Sequence, residues 1–105
     1  MKLIKVFIHH VRSVEVVQAL ADAGHRNITL QDVKGMLKPL NDDERDFSGD
    51  ASGLVISETQ ISLVCEDQEV TSIIDIVRKI APIGPNVSGW LYVSSVEQVV
   101  QIGGP

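Results

Sequence analysis

Near the start of the chain, Ile4, Val6 and Ile8 alternate with Leu3, Lys5 and Phe7, and both sets are largely apolar. A short run of this kind suits a central strand covered on at least one face. Ser13 then offers an oxygen to cap a helix, and Val16, Val17, Leu20 and Ala21 follow at helical spacing, with Glu15 in the favourable first turn. Gly24 is a natural stop, because glycine tolerates the left-handed backbone at a helix end. Residues 27–35 read as a second strand, with Ile28 and Leu30 on one face and Thr29, Gln31 and Val33 on the other.

From Met36 to Leu54 the pattern dissolves. Pro39, the run Asp42-Asp43-Glu44 and the stretch Ser48-Gly49-Asp50-Ala51-Ser52-Gly53 carry no apolar period of either kind. A loop of this length inside a small domain is unusual and tends to be functional or disordered. It is the most informative local feature of the sequence.

Residues 55–65 resume as a long strand, with Thr59, Ile61, Leu63 and Cys65 on one face. Asp67 is placed to cap a second helix, whose apolar stripe is Val70, Ile73, Ile74, Val77 and Ile80. Pro82 ends it, residues 82–89 form a second, smaller loop, and residues 90–94 form another strand. Residues 96–102 are a terminal extended or mixed segment. The order is β-α-β-β-α-β, a ferredoxin-like α+β sandwich with an antiparallel sheet. Right-handed crossovers put both helices on one face of the sheet. The other face then lacks cover unless another chain packs on it, which is a physical reason to expect an oligomer.

At 105 residues the chain has room for one domain and no second core. A net charge of −5, with no stripe of Lys and Arg, leaves no footprint for nucleic acid. Four aromatic residues are too few to line a large cofactor pocket, and the lone Cys65 excludes an intramolecular disulfide. No segment has the roughly 18 to 20 apolar residues needed to span a bilayer. The N-terminal apolar run is too short for a signal-peptide core, so the expected location is the cytoplasm.

Several stretches resemble the PII signal-transduction proteins. They are the opening Met1-Lys2-Leu3-Ile4, the helix ending Ala19-Leu20-Ala21-Asp22-Ala23-Gly24, the strand ending Thr29-Leu30-Gln31-Asp32-Val33-Lys34-Gly35, and the loop Gly84 to Gly89 leading into Trp90-Leu91-Tyr92-Val93. The likeness runs nearly without gaps from Met1 to about Ile102. It implies one PII-like domain over residues 1–105, a homotrimer, and effector sites in the clefts between subunits. It also implies that the long segment 37–55, called the T-loop in that family, changes shape with the effector and docks onto a target such as a membrane transporter or an enzyme. The usual effectors of the family are adenine nucleotides (AMP, ADP or ATP), often with 2-oxoglutarate.

Carried over residue by residue, the resemblance places Thr29, Gly35, Lys38, Val64, Gly84, Gly89 and Trp90 around the nucleotide cleft. Trp90 stands where the family has a phosphate-binding Lys, and Gln101 and Gly103 replace two Arg residues that grip phosphates across the interface. Leu37 and Pro39 replace the usual loop Gly and Gln, and Ala51 replaces the tyrosine modified in many members. Charge-assisted hydrogen bonds to phosphate are worth about 1.5–3 kcal/mol each. A site without those cations is degenerate towards a triphosphate, and the chain is a divergent, PII-like member.

Other constellations have plainer readings beside them. His9, His10 and His25 carry imidazoles suited to zinc, copper or nickel. Adjacent strand residues point to opposite faces, however, so His9 and His10 do not readily share one ion, and surface or structural histidines are the alternative. Asp42, Asp43, Glu44, Asp46 and Asp50 lack the spacing of a calcium loop and read as a solvated segment. Cys65 faces the apolar side of its strand and reads as a small core residue. The backbone NH groups of residues 84–89 suit approach to a phosphate, although Pro85 lacks one, and Trp90 suits either stacking on an adenine or packing. The expected function is therefore a non-enzymatic, effector-binding regulator. The alternatives are a metal-responsive regulator using the histidines, or a small ferredoxin-like enzyme, for which no convergent acid–base pair is visible.

Overall fold

A computed structural model describes residues 1–35 and 56–105. Strand β1 (Lys2–His9) leads through a 3-10 turn (His10–Arg12) into helix α1 (Ser13–Asp22). Strand β2 (Thr29–Gly35) and strand β3 (Ile56–Cys65) follow. A second 3-10 turn (Asp67–Glu69) then opens helix α2 (Val70–Ile80), and strand β4 (Gly89–Ser95) completes the sheet. The strands lie in the order β2-β3-β1-β4, every neighbouring pair antiparallel. This is the ferredoxin-like α+β arrangement expected from the sequence.

Alternation decides which side chains meet the helices. Ile4, Val6 and Ile8 of β1 join Ile61, Leu63 and Cys65 of β3 in one core with Val16 and Leu20 of α1 and Ile73, Val77 and Ala81 of α2. Thr59 extends the same row and is also buried. The opposite face of the sheet carries Phe7, Val64, Trp90 and Tyr92. Trp90 and Tyr92 keep 57% and 56% of their surface exposed. Phe7 meets Tyr92 edge-on, with ring centroids 5.9 Å apart. Within one chain, the part of this face around Trp90 and Tyr92 has no covering layer among the described residues.

The helix ends differ in detail from the expectation. Ser13 is the first residue of α1 rather than its cap, and its hydroxyl donates to the His10 carbonyl at 2.8 Å. Asp67 likewise lies inside the 3-10 turn, and the cap is Glu66 in a reciprocal capping box with Glu69. The Glu66 N–H donates to Glu69 Oε1 at 2.8 Å, while Asp67 pairs with the Met1 amine at 3.0 Å. In both places a 3-10 turn begins the winding one turn earlier than the helical period shows. Gly24 does end α1, with φ +94°, and the bonds from Gly24 N to Ala21 O and from His25 N to Leu20 O close a Schellman motif. Strand β2 starts at Thr29 rather than residue 27, because Asn27 takes a left-handed backbone (φ 57°) that breaks the extended chain. Past Ser95 the described chain has no regular element, and Val99, Val100 and Ile102 point to solvent.

Candidate functional site

The end of β1, the end of β2, the start of β3, the start of β4 and the turn before β4 together build the loop-bearing end of the sheet. Gly35 closes β2, and a Cβ there would overlap the Glu58 carboxylate on the neighbouring strand. Glu58 is 5% exposed and stands opposite His9, the last residue of β1, which is 2% exposed. Burial pushes the Glu58 carboxyl above its ordinary range, and the nearby His9 works against that shift. A cleft of about 490 Å³ opens beside this pair, lined by His10, Asp32, Val33, Lys34, Ser57 and Glu58. His10 Nδ1 lies 3.3 Å from the Ser57 carbonyl, and Lys34 Nζ donates to Ser57 Oγ at 3.2 Å.

Across the sheet, Gly89 opens β4 against Ile8, where a Cβ would run into the Phe7 carbonyl. The preceding turn is tied by Ser88, whose hydroxyl accepts from the Ile83 N–H at 2.7 Å. The same hydroxyl reaches the Ile83 and Asn86 carbonyls, each at 3.2 Å. Gly84 has φ +64°, a left-handed conformation that suits glycine in so short a turn. Beside the turn, a mainly apolar groove of about 690 Å³ runs between α2 and β4, with Arg78, Val87, Trp90 and Leu91 among its walls.

The residues singled out by sequence do not gather in one place within the chain. Thr29 and Gly35 are the two ends of the seven-residue β2, roughly 20 Å apart at the usual strand rise. Val64 sits opposite Leu3, towards the end of the sheet away from Gly35. Trp90 lies on edge strand β4, three strand spacings from β2, or about 14 Å. Lys38, the segment 37–55 and the acidic group from Asp42 to Asp50 lie outside the described residues.

The histidines are also dispersed. His25 is nearly buried at the end of α1, with Nδ1 3.4 Å from Glu69 Oε2. It follows α1, whereas His9 and His10 stand at the loop-bearing end of β1. Among the described residues, no group of three or more His, Cys, Asp or Glu side chains is placed to hold a metal ion. Cys65 is buried, and burial together with the carboxylate of Glu69 raises its thiol pKa, the opposite of an activated nucleophile. Glu58 and Ser88 do not stand out in the sequence. Ser88 had a signal in its position one residue before Gly89, but Glu58 is placed only by pairing between strands distant in sequence.

An antiparallel β2-β3-β1-β4 sheet with two helices on one face, an open aromatic face and a glycine-built turn beside β4 defines a ferredoxin-like α+β domain. The chain belongs to the nitrogen regulatory protein P-II family, whose model matches residues 1–104. It is 31% identical to nitrogen regulatory protein P-II of Porphyra purpurea over 102 residues, covering 97% of this chain and 91% of that one. A P-II protein of Mesorhizobium japonicum is 30% identical with the same coverage. Nitrogen regulatory protein GlnK of Escherichia coli K12 is 28% identical, again over 97% of this chain and 91% of its own length. Among the described residues, no helix is long and apolar enough to cross a membrane.

Proposed function

We propose that this chain is a non-enzymatic cytoplasmic regulator, a single PII-like domain over residues 1–105. It assembles as a homotrimer, takes an adenine nucleotide into the clefts between subunits, and signals through segment 37–55 to a partner protein such as a transporter. The observation that carries this reading is the division of its candidate residues between separate parts of the sheet. Gly35 and the turn at Gly84–Gly89 share one end, while Thr29 and Val64 lie towards the other. A compact ligand touching both sets needs two chains, each giving a different end. The exposed Trp90, Tyr92 and Val64 supply apolar surface for that contact.

Lys38, just beyond Gly35, adds a cation at the root of the output segment. Trp90 offers a π surface to a purine in place of a phosphate-binding charge. The test is native mass spectrometry of the full chain, alone and with AMP, ADP and ATP, paired with calorimetry over the same panel. A trimer that retains nucleotide is the expected result. A dimer, or silence across the panel, would remove the trimer or the nucleotide part respectively.

A further inference from the structure

The loop-bearing end of the open sheet face carries a feature that bears on which nucleotide fits. Between Gly35 on β2 and Gly89 on β4 lie the two central strands, and the residues they present at that end are Glu58 and His9. The Glu58 side chain turns towards β2 so closely that its carboxylate fills the space of a Cβ on Gly35. It also borders the cleft shared with His10, Asp32 and Lys34. A ligand bound to the backbone NH groups of the Gly84–Gly89 turn and extending towards Gly35 therefore crosses the Glu58 carboxyl. β3 and β4 are two strand spacings apart, about 10 Å, comparable to the length of a phosphate chain.

We propose that Glu58 sets the charge that the effector can carry, favouring a nucleoside monophosphate over the triphosphate. The inference rests on the nucleotide reading given above and deepens it. On this reading a monophosphate would end near the glycine turn, short of the Glu58 carboxyl. The β- and γ-phosphates of a triphosphate would extend over a carboxyl group in a poorly solvated place, where like charges repel more strongly than in water. This stretch of β4 carries no cation to offset that repulsion, since Trp90 and Leu91 follow Gly89. Lys34, on the β2 side, already donates to Ser57. A carboxamide at position 58 keeps the shape and removes the charge.

The experiment is isothermal calorimetry of the full chain with AMP and ATP, without magnesium, for the natural protein and for Glu58→Gln. The natural protein should bind AMP at least tenfold more tightly than ATP. E58Q should narrow that gap to threefold or less, chiefly by tightening ATP, with AMP changed by less than threefold. Glu58→Ser, a smaller neutral replacement, should move the gap in the same direction, and melting curves establish that each variant is folded. Equal affinity of the natural protein for AMP and ATP overturns the inference and leaves the nucleotide reading standing. A gap unchanged in both folded variants does the same. Absence of binding by either nucleotide to the natural protein overturns both.

Discussion

The carboxylate of Glu58 occupies the space that a side chain on Gly35 would need, although the two residues belong to different strands. The pair therefore constrains the root of the long segment from both sides. Glycine at 35 is required by what Glu58 does, since no positive φ is found there. Gly35→Ala should destabilise the protein by about 1 kcal/mol, because the end of the Glu58 side chain must turn aside to admit the methyl group. In the background of Glu58→Ala the same change should cost much less. Urea unfolding of the two single variants and the double variant, at one fixed protein concentration, measures the coupling. Additive costs would show that the two residues do not interact.

The same carboxyl makes stability depend on pH. Burial raises its pKa above the ordinary 4.5, against the opposing effect of His9. The folded state thus holds this proton more tightly than the unfolded chain does. The stabilisation is fully present below about 4.5 and is lost as pH rises through the higher folded-state value. Glu58→Gln removes that dependence. Its melting temperature relative to the natural protein should climb from pH 4.5 upwards and level off once Glu58 is ionised in the folded state. A difference that stays constant, or falls, across this range would contradict the assignment.

How far the sequence disclosed this arrangement depends on whether a feature is local. The buried row Thr59, Ile61, Leu63 and Cys65 follows from alternation alone, and Val70, Ile73, Val77 and Ile80 of α2 follow from the helical period, whereas Ile76 rather than Ile74 packs on the core. The winding begins one turn before the apolar period shows, because a 3-10 turn leaves no separate mark in that period, so Ser13 and Asp67 resemble caps although they lie inside a helix and a turn. β2 starts two residues later than its apolar pattern suggests, because Asn27 adopts a left-handed backbone that most residues avoid. At the site, the glycines at 84 and 89 were visible as glycines, whereas the Glu58–Gly35 relationship needed the β2–β3 register. Residue type gives a chemistry, but only strand pairing says what that chemistry meets.

Gly89 makes a different prediction from Gly35. Its Cβ would meet the Phe7 carbonyl, a backbone atom held by the β1–β4 pairing, so no side-chain rotation relieves the clash. Gly89→Ala should cost on the order of 3 kcal/mol, at the upper end of ordinary overpacking. Hydrogen exchange should locate the damage at the start of β4 and in the turn tied by Ser88. Protection lost uniformly over the whole sheet would instead indicate global unfolding.

Glu69 joins two elements through one carboxylate. Oε1 accepts the Glu66 N–H in the capping box, while Oε2 lies 3.4 Å from His25 Nδ1, at the end of α1. Glu69→Gln keeps an acceptor for the Glu66 amide but removes the charge facing His25, whereas Glu69→Ala removes both. The alanine variant should lose about 1–2 kcal/mol, the usual scale for a lost cap. The glutamine variant should lose less than the alanine variant, because its side-chain oxygen still accepts the Glu66 N–H. Urea unfolding of the natural protein and both variants separates the two contributions. A glutamine variant as stable as the natural protein would mean that the carboxylate charge, and with it the link to His25, contributes nothing to holding α1 against the start of α2.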